Sequence, residues 1–90
     1  QGGIVFGLSI ATREEITIED GRVVQSNFDD YRIMKLKDSP IINVHLITSE
    51  GESGGAGEPG VPCAAPALTN AIFAATGKRI RRLPIAKQPL

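Results

Sequence analysis

Residues 61 to 75, VPCAAPALTNAIFAA, constrain the fold more than any other stretch, because Thr69 and Asn70 are their only strongly hydrogen-bonding side chains. Pro62 suits the first turn of a helix. Gly77 reads as its C-terminal cap, with Lys78 and Arg79 where cations favour the helix dipole. Pro66 is tolerated only if the helix proper begins close to it. A helix that is apolar on nearly every side must be buried on nearly every side. A chain of 90 residues cannot surround one well. The sequence therefore reads as a piece of a larger assembly, and its uncovered apolar surface predicts self-association of the isolated piece.

The remaining elements are short. Gly2 and Gly3 form a flexible lead-in to IVFGLSIA, where Gly7, Ser9 and Ala11 permit close packing, so a helix is expected over 3–11. EEITIED sets Ile16 and Ile18 against Thr17 and Glu19, Asp20-Gly21 is a two-residue hairpin turn, and RVVQSNF returns. IINVHLITSE alternates Ile42, Val44 and Leu46 with Asn43 and His45, which predicts a strand over 41–48 with His45 in solvent or bonded within the sheet. KRIRRLPI is expected to run extended along an edge, and residues 86–90 to fray. The expected fold class is α+β: a small, mostly antiparallel sheet (hairpin 14–28, strand 41–48) packed with helices near 3–11 and 62–76, all within one unit spanning 1–90.

Charge and cysteine content narrow the function classes. Ten basic and ten acidic side chains cancel, so no global field draws nucleic acid, and none is expected as a partner. Nothing after Glu58 is acidic, and the basic tail from Lys78 reads as a solvated or partner-facing end. Cys63 is the only cysteine and His45 the only histidine, so no internal disulfide, cysteine-based metal site or zinc site of His and Cys pairs can form. Cys63 is expected to be a buried, inert thiol ahead of the helix. No stretch approaches a membrane span. QGGIVFGLSIAT is apolar from its fourth residue and has no initiator Met, so it reads like the middle of a longer polypeptide.

GESGGAGEPG, residues 51–60, holds five of the ten glycines. On composition alone it is a flexible linker, because glycine loses the most backbone freedom on ordering. Gly55, Gly57 and Gly60 also spell G-x-G-x-x-G. That fingerprint requires a strand running into the glycines, a helix opening at them and an acidic residue about 20 positions later. The expected strand ends near Thr48, Pro59 occupies a variable position and no acid follows. A Walker loop fails too, with Ile72 where its upstream glycine belongs. The other reading is that the loop presents Glu58. Backbone N–H groups of Gly55, Ala56 and Gly57 can approach an anion closely, and Glu58 sits just before a helix N-terminus. A carboxylate so placed in a dry pocket suits a general base near neutral pH. One carboxylate cannot perform difficult chemistry unaided, so a cofactor must come from elsewhere.

QGGIVFGLS, EITIEDGRVVQSNFDDYRI and GGAGEPGVPCAAPALTNAIFAATGKRIRRLPI together resemble the C-terminal end of the large, molybdenum-cofactor-binding subunit of the xanthine dehydrogenase and aldehyde oxidase family, in the branch typified by the isoquinoline 1-oxidoreductase beta subunit. The resemblance implies hydroxylation of an N-heteroaromatic or aldehyde carbon with water-derived oxygen. It makes Glu58 the general base on a molybdenum-bound hydroxide, and Gly55, Ala56 and Gly57 the loop against the pterin and metal face. It further implies a molybdenum–pterin cofactor in its cytosine dinucleotide form. The implied partners are the remainder of the large subunit, a small [2Fe–2S] subunit and a small-molecule substrate. Family members carry a cofactor-contacting glutamine near the opening glycines; Gln1 is kept outside the site as its neighbour. Cys63 stands where relatives commonly carry proline. The implied setting is bacterial, and cytoplasmic, periplasmic and membrane-associated locations all stay open. The isolated chain is expected to be inert, and the alternative is a non-catalytic interaction or assembly module that retains the fold.

Overall fold

The structure is a computed structural model that describes residues 1–90. Its elements in chain order are α1 (Gly2–Thr12), β1 (Ile18–Glu19), β2 (Arg22–Val23), a 3-10 turn (Leu36–Asp38), α2 (Gly60–Thr76) and a second 3-10 turn (Ile85–Lys87). The expected α+β class holds, with two helices and an antiparallel hairpin.

α1 and α2 pack through small residues. Gly3, Gly7 and Ala11 recur at a spacing of four along α1, and Gly60 and Ala64 do the same on α2. A Cβ at Gly7 would lie 2.6 Å from the Val61 carbonyl oxygen and 2.7 Å from Ala64 Cβ. One at Gly60 would lie 2.9 Å from Ile4 Cγ1. The two backbones therefore approach closer than any larger side chain allows. α2 stops at Gly77, whose left-handed φ of 74° lets its N–H reach the Phe73 carbonyl at 2.8 Å. Pro66 lies well inside α2 rather than near its start, and the helix runs through it.

Little else is buried. Six residues are: Gly7, Ser9, Ala11, Ala64, Pro84 and Ile85. Leu36, Ile41, Leu46 and Ile47 are each more than nine-tenths exposed, at 92, 93, 94 and 92%. The radius of gyration is 16.0 Å, against about 12 Å for a compact domain of this length. α2 accordingly exposes Pro62, Cys63, Pro66 and Phe73. Cys63 is neither buried nor ahead of the helix; it lies exposed in the first turn, because this chain has nothing to cover that face.

The hairpin is present but short. Asp20 (φ 49°) and Gly21 (φ 74°) make the paired left-handed turn that matches strand twist, with Ile18 opposite Val23 and Glu19 opposite Arg22. One further rung joins Val24 N–H to the Thr17 carbonyl at 2.9 Å. The strand expected over 41–48 does not form: these residues belong to no sheet, and the hairpin is the whole of the sheet. A strand needs a neighbour, and the chain offers 41–48 none. KRIRRLPI likewise joins no sheet. The tail beyond it is tied back, with the turn at Ile85–Lys87 packed on α1 and Lys87 paired with Glu15.

Polar clasps hold the segment between hairpin and loop against α1. Ser9 Oγ, buried, accepts the Met34 N–H at 2.8 Å. Tyr31 Oη donates to Glu14 at 2.5 Å, a bond that raises the phenol above its ordinary value. Arg13 pairs with Asp38 at 2.9 Å. Asp30 accepts the N–H groups of Ser26 and Asn27, each at 2.9 Å, and the Ser26 hydroxyl at 3.2 Å.

The Asn27 amide first, and then the Ser26 amide, hold the Asp30 carboxyl below its ordinary value of 3.8. Its folded pKa lies below its unfolded one, so this turn is fully stabilised above the unfolded value and loosens as pH falls through the folded value. An NMR titration of the Ser26 and Asn27 amides should show a midpoint below 3.8; a midpoint at or above it refutes the assignment. Separately, Gly7→Val forces α1 and α2 apart. It should destabilise by about 1–3 kcal/mol, read as a lowered denaturant midpoint. Gly54→Val, where a Cβ meets nothing within 4 Å, should stay within about 0.5 kcal/mol of the parent.

Candidate functional site

The α1–α2 contact brings both helix N-termini to one open groove of about 910 Å³. Gly2, Gly3 and Phe6 of α1 form one wall; Val61 and Pro62 of α2 form the other. Gly55, Gly57, Glu58 and Pro59 close the end between them. The loop is seated by backbone contact, because a Cβ at Gly3 would lie only 2.6 Å from the Gly57 carbonyl oxygen. The Glu58 carbonyl then accepts the Val61 N–H at 2.8 Å, which opens α2.

The electrostatics are simple. Neither helix has a side-chain cap at its N-terminus. The two helix dipoles place partial positive charge on the groove from two sides, and the unpaired N–H groups of Gly2 and Gly3 add donors on the α1 wall, whereas on the α2 wall the Val61 N–H is taken by Glu58 and Pro62 has none. Glu58 is the only ionisable side chain on its walls. It is exposed, and neither ion pair of the chain includes it. A Cβ at Gly2, Gly55 or Gly57 would meet nothing within 4 Å, so these glycines leave space that any side chain would fill. The arrangement can admit an anionic group to bare backbone and hold one carboxylate beside it. The dry pocket expected around Glu58 is not built by these residues.

Of the residues singled out from sequence, the groove unites Gly55, Gly57 and Glu58. Ala56 lies in the same loop, exposed and off the groove wall. Gly2, Gly3, Phe6 and Pro59 were not anticipated; the Gly2-Gly3 pair was the visible signal, read as a lead-in rather than a wall. Gln1 turns elsewhere, its Nε2 donating to the Ile42 carbonyl at 3.2 Å. His45 and Cys63 lie off the groove. No three His, Cys, Asp or Glu side chains converge to hold a metal ion. α2 opens only at Gly60, after Gly55 and Gly57, and no acidic residue follows Glu58, which removes the dinucleotide reading.

Residues 1–40 match the molybdopterin cofactor-binding domain, a span that contains the α1 wall and the hairpin. Over 85 residues the chain is 35% identical to the isoquinoline 1-oxidoreductase subunit beta of Brevundimonas diminuta, covering 94% of this chain and 11% of that protein. Over another 85-residue span it is 34% identical to a membrane-bound aldehyde dehydrogenase of Gluconacetobacter polyoxogenes that is named for pyrroloquinoline quinone, with the same two coverages of 94% and 11%. It is 33% identical to a probable xanthine dehydrogenase subunit of Bacillus subtilis, over 100% of this chain and 13% of the relative. The chain thus spans about a tenth of the length of the curated relatives it matches.

The seating of the loop on Gly3 is open to test. Gly3→Val should lift residues 55–61 from α1 and speed amide exchange there by at least about tenfold, Val61 included. Gly54→Ala should leave exchange unchanged, since its Cβ meets nothing within 4 Å.

Proposed function

This chain is a segment of the molybdopterin-binding xanthine dehydrogenase and aldehyde oxidase family of oxidoreductases, and from that premise we propose that it carries the general base of a molybdenum hydroxylase, Glu58. One observation carries the reading. Glu58 is the sole charged side chain on a groove otherwise walled by glycine backbone, apolar side chains and two helix N-termini.

The groove's chemistry fits a bulky anionic cofactor rather than a metal held by side chains. It has free backbone donors and glycine-made space, and no convergent ligand set. Gly55 and Gly57 would lie against the pterin, proposed here in its cytosine dinucleotide form, with Gly2 and Gly3 across the groove and Ala56 carrying the loop between the two glycines. When bound, the molybdenum–pterin group supplies the two-electron oxidation of an N-heteroaromatic or aldehyde carbon and the delivery of water-derived oxygen. Glu58 accepts, at its carboxylate, the proton released from that water-derived hydroxyl. Gly3 keeps the carboxylate in register by holding the Gly57 carbonyl against α1. The rest of the large subunit excludes bulk water from the groove, and a small [2Fe–2S] subunit takes the electrons onward.

A second reading has an observation in its favour. The thin core and the exposed apolar face of α2 equally suit a non-catalytic assembly module that retains the fold.

One substitution separates the two. In the complete subunit with its iron–sulfur partner, Glu58→Gln should retain molybdenum and lower dye reduction by about 10²–10⁴-fold with N-heteroaromatics or aldehydes. Unchanged turnover would take Glu58 out of the chemistry and leave the loop a structural linker.

A further inference from the structure

The segment that leads into the glycine loop lacks what its sequence is built for. From residue 40 to residue 57 no main-chain N–H or C=O is paired with another main-chain group. Only the Ile42 carbonyl has a partner, the Gln1 side chain. Within this stretch IINVHLIT, residues 41–48, keeps the two-residue alternation of a strand, and all but Ile42 are exposed. In strand geometry Ile42, Val44 and Leu46 fall on one face, and Ile41 and Ile47 on the other.

Three features identify what covers it. Free donors and acceptors along an alternating segment are the template for strand addition, where main-chain bonds supply the affinity. Apolar residues on both faces describe a strand covered from both sides, as in the interior of a layered domain. The protections of a solvent-facing edge are missing as well, since no Lys, Arg, Asp, Glu or Pro occurs between residues 41 and 48. The curated relatives are several times longer than this chain, which accounts for 11–13% of those aligned above, so their remaining length contains ample strand edges.

We propose that residues 41–48 form a β-strand that pairs with an exposed strand edge in the remainder of the same subunit. The consequence falls on the loop that follows. Its far end is fixed where Gly57 and Gly60 meet α1. Strand pairing fixes its near end, so five glycines in residues 51–60 are ordered from both sides instead of one. The pairing does not depend on the role given to Glu58.

Hydrogen exchange on the complete subunit, resolved by mass spectrometry, tests it. Amides of 42–48 should exchange at least about 100-fold more slowly than the same amides in the unfolded subunit. That protection should hold over an approximately tenfold range of subunit concentration. It should also be the same in the Glu58→Gln subunit, which keeps this test separate from the activity test. Exchange at the unfolded-chain rate would make the segment a solvated connection and overturn the proposal. Protection that grows with concentration would assign the partner strand to a second copy, and would overturn it equally.

Discussion

The arrangement of this chain depends on one contact, the line of small residues where α1 meets α2. Gly3 and Gly7 lie against Gly60, Val61 and Ala64, so backbone meets backbone with almost no side chain between. No large side chain is fully buried anywhere, and Ala11 is the most enclosed apolar residue. The contact therefore owes its strength to close dispersion contacts over a short path rather than to the volume of a core. It also leaves little tolerance: at Gly7 the space of one methyl group is already taken by the Val61 carbonyl and the Ala64 side chain. Strong geometric definition and weak overall burial coexist here because they come from different features.

The same contact sets the electrostatics. Two helices that pack near their N-termini bring two helix dipoles to one groove, a concentration of partial positive charge that neither helix produces alone. Glu58 is the only full charge placed there. The C-terminal end of α2 is treated differently. Arg79 folds back over the Phe73 ring, 3.7 Å from its centroid, and donates to Asn70 Oδ1 at 2.7 Å. Part of the basic tail is thus spent on finishing the helix, while Lys78, Arg81 and Arg82 remain exposed.

What the sequence made legible was local. Asp20-Gly21 demanded a left-handed two-residue turn, and the hairpin formed around it. Gly77 demanded a left-handed cap, and α2 ended there. The placement of Glu58 just ahead of a helix was readable for the same reason: capping chemistry spans only a few residues. The opposite wall was not readable, because Gly3 reaches the loop across more than fifty positions of chain, and no local pattern encodes which glycine meets which carbonyl. The alternation in 41–48 is visible, but a strand is a relation between two segments, and no other segment of these 90 residues pairs with it. Cys63 failed in the same way: burial is set by neighbours, and its apolar surroundings in sequence said nothing of whether anything would cover them.

Position and environment are therefore separable in the proposed site. The position of the Glu58 backbone follows from contacts inside the chain: the Gly57 carbonyl against Gly3, the Glu58 carbonyl on the Val61 N–H, and Gly60 against Ile4. These contacts are made by residues of this chain alone. The environment of the carboxylate, however, is open water on this chain. A base in open water is screened and gains little from the two helix dipoles aimed at it, since such fields act strongly only where water is excluded. Chemistry at Glu58 thus requires two things from different parts of the polypeptide: a rigid seat, which these residues build, and a dry roof, which they do not. Exposed Phe6 on the groove wall and the bare glycine backbone beside it are the surfaces that such a roof and its cofactor would meet. Apolar surface left open at the groove is, on this account, the complement of a missing wall and part of the same design as the glycines.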